Sequence, residues 1–143
     1  MQVDFYVMEN MGRMQALREL CLLLEKPYEN GQQVYVHTAT KDEAEQLDKL
    51  LWTYRDDSFL AHRICLDDTT PSAPIDIGIE RNPIRHEGIL VNLTSQIPEF
   101  YQQFNSVIEI VFSEPAAQQA SRERFRLYRE QGCKLNTHKI KVN

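Results

Sequence analysis

At 143 residues, 42% of them hydrophobic, the chain has the length for one domain with a core able to fold unaided, and no second domain is expected. No apolar stretch approaches the roughly 20 residues that cross a bilayer. Met1-Gln2-Val3-Asp4 leads into a short apolar run with an acid inside it rather than a secretory leader, so a soluble, cytoplasmic protein without membrane contact is expected. The net charge of −5 argues against a surface devoted mainly to nucleic acid.

Val3-Asp4-Phe5-Tyr6-Val7-Met8 reads as a first strand. After Glu9-Asn10-Met11-Gly12 comes a helix in which Met14, Leu17, Cys21 and Leu24 recur at helical spacing, broadened by Leu20 and Leu22 to Leu24. Pro27 to Gly31 ends it, with Asn30-Gly31 as the turn, and Gln33-Val34-Tyr35-Val36-His37 is a second strand. Thr40 and Glu43 form a candidate capping box for a helix from about Lys41 to Tyr54. Its core stripe is Ala44, Leu47, Leu50, Leu51 and Tyr54, which leaves Trp52 roughly 140° from the centre of the stripe and pointing away from the sheet. A Trp so placed is either an interface residue or is covered by the Asp57-Ser58-Phe59-Leu60 loop.

Residues 66–74 are a loop by composition, Ile75-Asp76-Ile77-Gly78-Ile79 alternates as a strand, and Arg81 to Gly88 is a polar connection. Ile89-Leu90-Val91-Asn92-Leu93 is a nearly continuous apolar strand of the kind covered on both faces. Pro98 to Phe104 is expected as a short helix, Val107 to Phe112 as another buried strand, and Ser113-Glu114-Pro115 as a helix start with a capping Ser. Strands alternating with helices give the α/β class, a mainly parallel sheet with helices on both faces.

The last helix and tail, residues 115–137, carry the clearest functional signal. At about 100° per residue, Ala116, Ala117, Ala120, Leu127 and Tyr128 share one side, while Gln118, Arg122, Phe125, Arg126 and Arg129 share the other. An aromatic ring among guanidinium groups, away from the docking stripe, suits an acidic ligand with an apolar anchor. Charge is segregated along the chain: residues 118–143 hold seven cations against two acids, a local +5, which leaves −10 on residues 1–117. Such asymmetry can steer an acidic partner to one end, although charge alone is equally consistent with a solvated helix face.

Other chemistry is missing. There is no phosphate loop and no G-x-G-x-x-G after the first strand, where Glu9-Asn10-Met11-Gly12 offers one glycine and an acid. The G-x-S-x-G elbow of serine hydrolases is absent. His37, His62, His86 and His138 are scattered; His62 and Asp67-Asp68 could meet at a loop, with no nucleophile or metal set beside them. Cys21, Cys65 and Cys133 are widely spaced without a C-x-x-C pair and are read as reduced thiols, neither disulfides nor metal ligands. No cofactor is expected.

Taken together, several segments resemble the chi subunit family of bacterial DNA polymerase III over essentially the whole length. They are Asp4-Phe5-Tyr6-Val7, Leu51-Trp52 followed by Ser58-Phe59-Leu60-Ala61-His62, Ala73-Pro74-Ile75-Asp76-Ile77-Gly78, Leu90-Val91-Asn92-Leu93, and Arg122 through Gly132 ending in Leu135-Asn136-Thr137. The resemblance implies a Rossmann-like fold without a nucleotide-binding loop and a non-catalytic accessory subunit of the clamp-loader assembly. It implies two partners: the acidic C-terminal tail of the single-stranded-DNA-binding protein, and the psi subunit or an equivalent such as a repair helicase, through which the clamp loader is reached indirectly. The family's tail pocket maps onto Gln118, Arg122, Phe125, Arg126, Leu135 and Thr137, with Val111 at its floor, and its psi-facing surface onto Trp52, Tyr54 and Phe59. Gln118 stands where relatives can have Lys, Phe125 where they can have Tyr, and Ala61 where a Pro precedes the matching His. The competing reading is direct binding of single-stranded nucleic acid through the Arg122, Phe125 and Arg129 face; a nucleotide-dependent enzyme is disfavoured by the missing phosphate loop.

Overall fold

The computed structural model describes residues 1–66, 73–83 and 87–141. Its elements are β1 (Gln2–Glu9), α1 (Arg13–Glu29), β2 (Val34–Thr38), α2 (Lys41–Thr53), β3 (His62–Cys65), β4 (Ile75–Ile79), β5 (Ile89–Asn92), a 3-10 turn (Tyr101–Gln103), β6 (Ser106–Val111), α3 (Pro115–Glu130) and β7 (Lys134–Lys141). The seven strands among the described residues form one open sheet in the order β3-β4-β2-β5-β6-β1-β7, with every neighbouring pair parallel. The expected α/β, Rossmann-like architecture is the observed one. Two strands were not expected: β3, which is only four residues long, and β7, which the sequence reading left as a tail.

Strand alternation decides which face each element covers. In β1, Tyr6 and Met8 face the layer built by α1 and α2, while Val3, Phe5 and Val7 face the layer that contains α3. β2 and β5 are buried along their whole lengths, because each has a neighbour on both edges and a layer on both faces. The 3-10 turn, a single short turn where a longer helix was expected, sends Phe100, Tyr101 and Phe104 into the α3 layer.

The helix termini account for several differences from the sequence reading. α1 runs through Pro27 and closes only at Asn30; Gln32 N–H donates to the Pro27 carbonyl at 3.0 Å and Gly31 N–H to the Tyr28 carbonyl at 3.1 Å, so the stop is set by Gly31 at φ 74° rather than by the proline. Its buried stripe is Ala16, Leu17, Leu20, Cys21 and Leu24, and Met14 and Leu22 are exposed. The Thr40 half of the expected capping box at α2 forms, its Oγ1 accepting from Glu43 N–H at 3.2 Å, whereas the Glu43 carboxylate passes the cap residue and accepts from Ala39 N–H at 3.3 Å while pairing with Arg13. Ser113 does not cap α3. Its hydroxyl donates to the Met8 carbonyl and accepts from Met11 N–H, so Glu114 is the cap residue and Pro115 opens the helix.

α3 is also rotated from the expected orientation. Its buried residues are Arg124 and Tyr128, flanked by half-buried Ala117, Ala120, Ser121 and Phe125, whereas Leu127 is 37% exposed and Ala116 is exposed. Among the described residues no disulfide joins Cys21, Cys65 and Cys133.

Candidate functional site

The turn after α3 is a tight glycine stop: Cys133 N–H donates to the Tyr128 carbonyl at 3.1 Å and Gly132, at φ 81°, to the Arg129 carbonyl at 3.0 Å. The chain thereby turns straight into β7 and lies along β1, with Leu135 beside Val3 and Thr137 beside Phe5. On the other side of β1, Val7 is level with Val111 of β6. Between these three strands and α3 lies a pocket of about 220 Å³ lined by Phe5, Val7, Val111, Ser121, Arg122, Phe125 and Thr137.

Phe125 forms its aromatic wall. Its ring lies 5.4 Å from that of Phe5, which in turn meets Tyr128 edge-on at 6.0 Å, and the Arg129 guanidinium sits 5.9 Å over the Phe125 ring. The two arginines expected here differ. Arg126 is held by Glu123 and Glu130 on its own helix, which raises its pKa and, through the Arg126 hydrogen bond, lowers that of Glu123. Arg122 makes only a 3.4 Å contact with the Gln119 amide and no ion pair among the described residues.

α3 is anchored from beneath by a polar cluster that the sequence reading missed. Glu109 of β6 is fully buried; Arg124 Nε donates to it at 2.9 Å, Tyr128 Oη at 2.6 Å, and Asn92 Nδ2 to its two oxygens at 3.1 and 3.0 Å. Arg124 Nη1 also donates to the Ser95 carbonyl at 3.0 Å. Burial raises the pKa of the Glu109 carboxyl, opposed by the Arg124 charge and by the hydroxyl and amide donors; burial and the Glu109 charge push the Tyr128 hydroxyl well above its ordinary value.

Of the seven residues expected at this site, Val111, Arg122, Phe125 and Thr137 line the pocket. Leu135 packs in the apolar layer next to it, whereas Gln118 and Arg126 are exposed on α3 outside the lining. Phe5, Val7 and Ser121 were missed. The Val3, Phe5, Val7 alternation marks the inner face of β1, but pairing that face with β7 requires knowing that the tail is a strand.

The second expected surface lies on the opposite face of the sheet. Trp52 and Phe59 are each 56% exposed, with ring centroids 5.0 Å apart, so the loop after α2 lies beside the Trp without covering it. His62 supports the pair from below: its ring is 4.9 Å from Trp52, and its nitrogens contact the Leu60 carbonyl at 2.6 Å and Asp48 Oδ1 at 3.2 Å. Tyr54 does not belong to the exposed patch. At 4% exposure it packs inward, and its hydroxyl donates to Glu25 at 2.7 Å. Asp67-Asp68, suggested as partners of His62, and His86 lie outside the described residues. Among the described residues no helix is long and apolar enough to cross a membrane, and no cluster of His, Cys, Asp and Glu is placed to hold a metal.

An apolar pocket with an unpaired guanidinium at its rim fits a group with an apolar body and an anionic end. Residues 1–136 match the family model described as "DNA polymerase III chi subunit, HolC". A relative from Pseudomonas aeruginosa named DNA polymerase III subunit chi is 39% identical over 139 residues, covering 97% of this chain and 96% of the relative. Proteins of the same name from Haemophilus influenzae and Escherichia coli are 25% and 27% identical over 138 residues each, covering 96% and 93% of this chain and 96% and 94% of their own.

Proposed function

The chain belongs to the DNA polymerase III chi subunit family, and from that premise we propose that it is a non-catalytic adaptor with two separate contacts. A chi subunit is an accessory subunit of the replicative polymerase and works with other replication proteins. On our reading, the pocket between α3 and β1 takes the acidic C-terminal tail of the single-stranded-DNA-binding protein. The Trp52 and Phe59 patch takes the psi subunit, or an equivalent partner such as a repair helicase, and so reaches the clamp loader.

The observation that carries the tail assignment is the pairing of Arg122 with an apolar pocket. The terminal apolar side chain enters between Phe125, Phe5 and Val111; its free carboxylate meets Arg122, and the Ser121 and Thr137 hydroxyls line the rim. Arg126, Gln118 and Leu135 border the approach and contact residues upstream of the terminus. The test is titration with a labelled peptide ending in Asp-Ile-Pro-Phe. Binding that is lost on amidating the terminus, and lost again in an Arg122→Ala, Phe125→Ala double variant, supports the assignment. Equal affinity for the acid and the amide contradicts it, and preferential binding of single-stranded DNA by the same face would favour the nucleic-acid reading instead.

A further inference from the structure

β7 closes one side of the sheet. It pairs with β1, and among the described residues no strand lies beyond it. Lys134 N–H donates to the Met1 carbonyl at 2.9 Å, so the backbone groups of Lys134, Asn136, His138 and Ile140 point into the sheet. By alternation, the N–H and C=O groups of Leu135, Thr137 and Lys139 point outward from the edge. Such a row of backbone groups is a template for one more strand.

Charge decides which strand the edge accepts. β7 carries Lys134, Lys139 and Lys141 and no acid. Leu135 packs in the α3 layer and Ile140 against the α1 layer, so Lys139 and Lys141 stand on the α3 face of the strand and Lys134 on the other. Lys139 and Lys141 reach Glu9 only at 3.9 and 3.7 Å, and their side chains are 70% and 73% exposed, a loose pairing from which a closer acid can recruit them. Lysines guard an edge against like and apolar strands: a second copy of β7 would set lysine against lysine, and an apolar strand would leave the charges unmatched. An acidic strand, whose side chains alternate between the two faces, meets a cation on each.

Continuity supplies the occupant. Thr137 lines the tail pocket, and its backbone faces the open edge. A peptide anchored in that pocket by its last residue has its upstream residues within reach of the edge. We propose that the acidic segment upstream of the bound terminus adds to β7 as an eighth strand, hydrogen-bonded to the outward groups of Leu135, Thr137 and Lys139. This rests on the tail reading of the pocket and extends it: the pocket holds the end of the peptide, and the edge of β7 holds the extended acidic segment before it. A proline next to the terminus cannot donate, so the pairing begins ahead of it.

The test compares two peptides, Asp-Ile-Pro-Phe alone and the same four residues preceded by eight that are chiefly Asp. Amide hydrogen exchange in β7 is followed by NMR with each peptide at saturation. The long peptide should slow exchange of the Leu135, Thr137 and Lys139 amides at least tenfold relative to the short one, and leave those of Asn136, His138 and Ile140, already bonded to β1, unchanged. N-methylation of alternate amides in the acidic stretch should then separate two interleaved sets: one lowers affinity about tenfold, the other about twofold or less. Unchanged outward amides with the long peptide bound, or equal losses from the two methylated sets, would overturn the proposal, and binding of the short peptide in the same experiment would leave the tail pocket standing. Failure of both peptides to bind would overturn the pocket reading and the added strand together.

Discussion

Arg122 and Arg126 stand one turn apart on α3 and offer a ligand different amounts of charge. Arg126 already shares its guanidinium with Glu123 and Glu130, whereas Arg122 has only a long contact with Gln119. Arg122→Ala is therefore expected to weaken tail-peptide affinity about tenfold or more, and Arg126→Ala only about twofold, as read by fluorescence anisotropy. Similar losses in the two variants would show that helix-internal pairing does not decide the contact. Beneath them, Glu109 makes a pH-dependent contribution. Its folded pKa is raised, so between the ordinary carboxyl range and that raised value the folded state binds more protons than the unfolded one, and stability falls as pH rises. Glu109→Gln should remove this falling slope in denaturant unfolding measured from pH 4 to 7, while Glu109→Ala, which strands Arg124, should cost about 3–5 kcal/mol. Neither role was legible in the sequence. A charged residue in a helix defaults to the surface reading, and Arg124 becomes a core residue only because β6 places a carboxylate directly under it.

β7 is the element that completes the pocket, and it is the one that patterning hid. Lys134–Lys141 alternates weakly and carries three lysines, the composition of an edge strand protected against further pairing. β3, at four residues, offers too short a period to read. The long, strongly apolar strands and α2 with its Thr40 cap were legible because several local signals agreed; α3 was legible as a helix but not in rotation, since Leu127 is apolar yet exposed. Gly132 is the residue on which β7 depends. At φ 81° it adopts a left-handed conformation that costs an L residue about 1–2 kcal/mol. Gly132→Val should lower unfolding stability by roughly that amount and weaken tail binding as well, because Thr137 and Leu135 are placed by the turn. Loss of stability with full peptide affinity would show that the pocket does not need β7 in register.

At the scale of the molecule, the positive end is less bare than its formal charge suggests. Arg124 is neutralised internally, Arg126 on its own helix, and Lys139 and Lys141 lie within 3.9 and 3.7 Å of Glu9. What remains around the pocket is a small cationic focus in an acidic protein, enough to steer an acidic peptide and poorly suited to a polynucleotide backbone. Association should accordingly slow as salt rises, since the Debye length falls from about 10 Å at 0.1 M to about 3 Å at 1 M. The pocket between α3 and β1 sits on one face of the sheet and the Trp52 patch with α2 on the other, the arrangement the proposed adaptor role requires. The central claim is that the two contacts are simultaneous and independent. The most direct measurement is to capture the chain on an immobilised tail peptide and then flow the psi subunit over it. Our account predicts a ternary complex, lost at the second step in Trp52→Ala, Phe59→Ala and at the first in Arg122→Ala, Phe125→Ala. Displacement of the chain from the tail by psi, or loss of both steps in either variant, would contradict it.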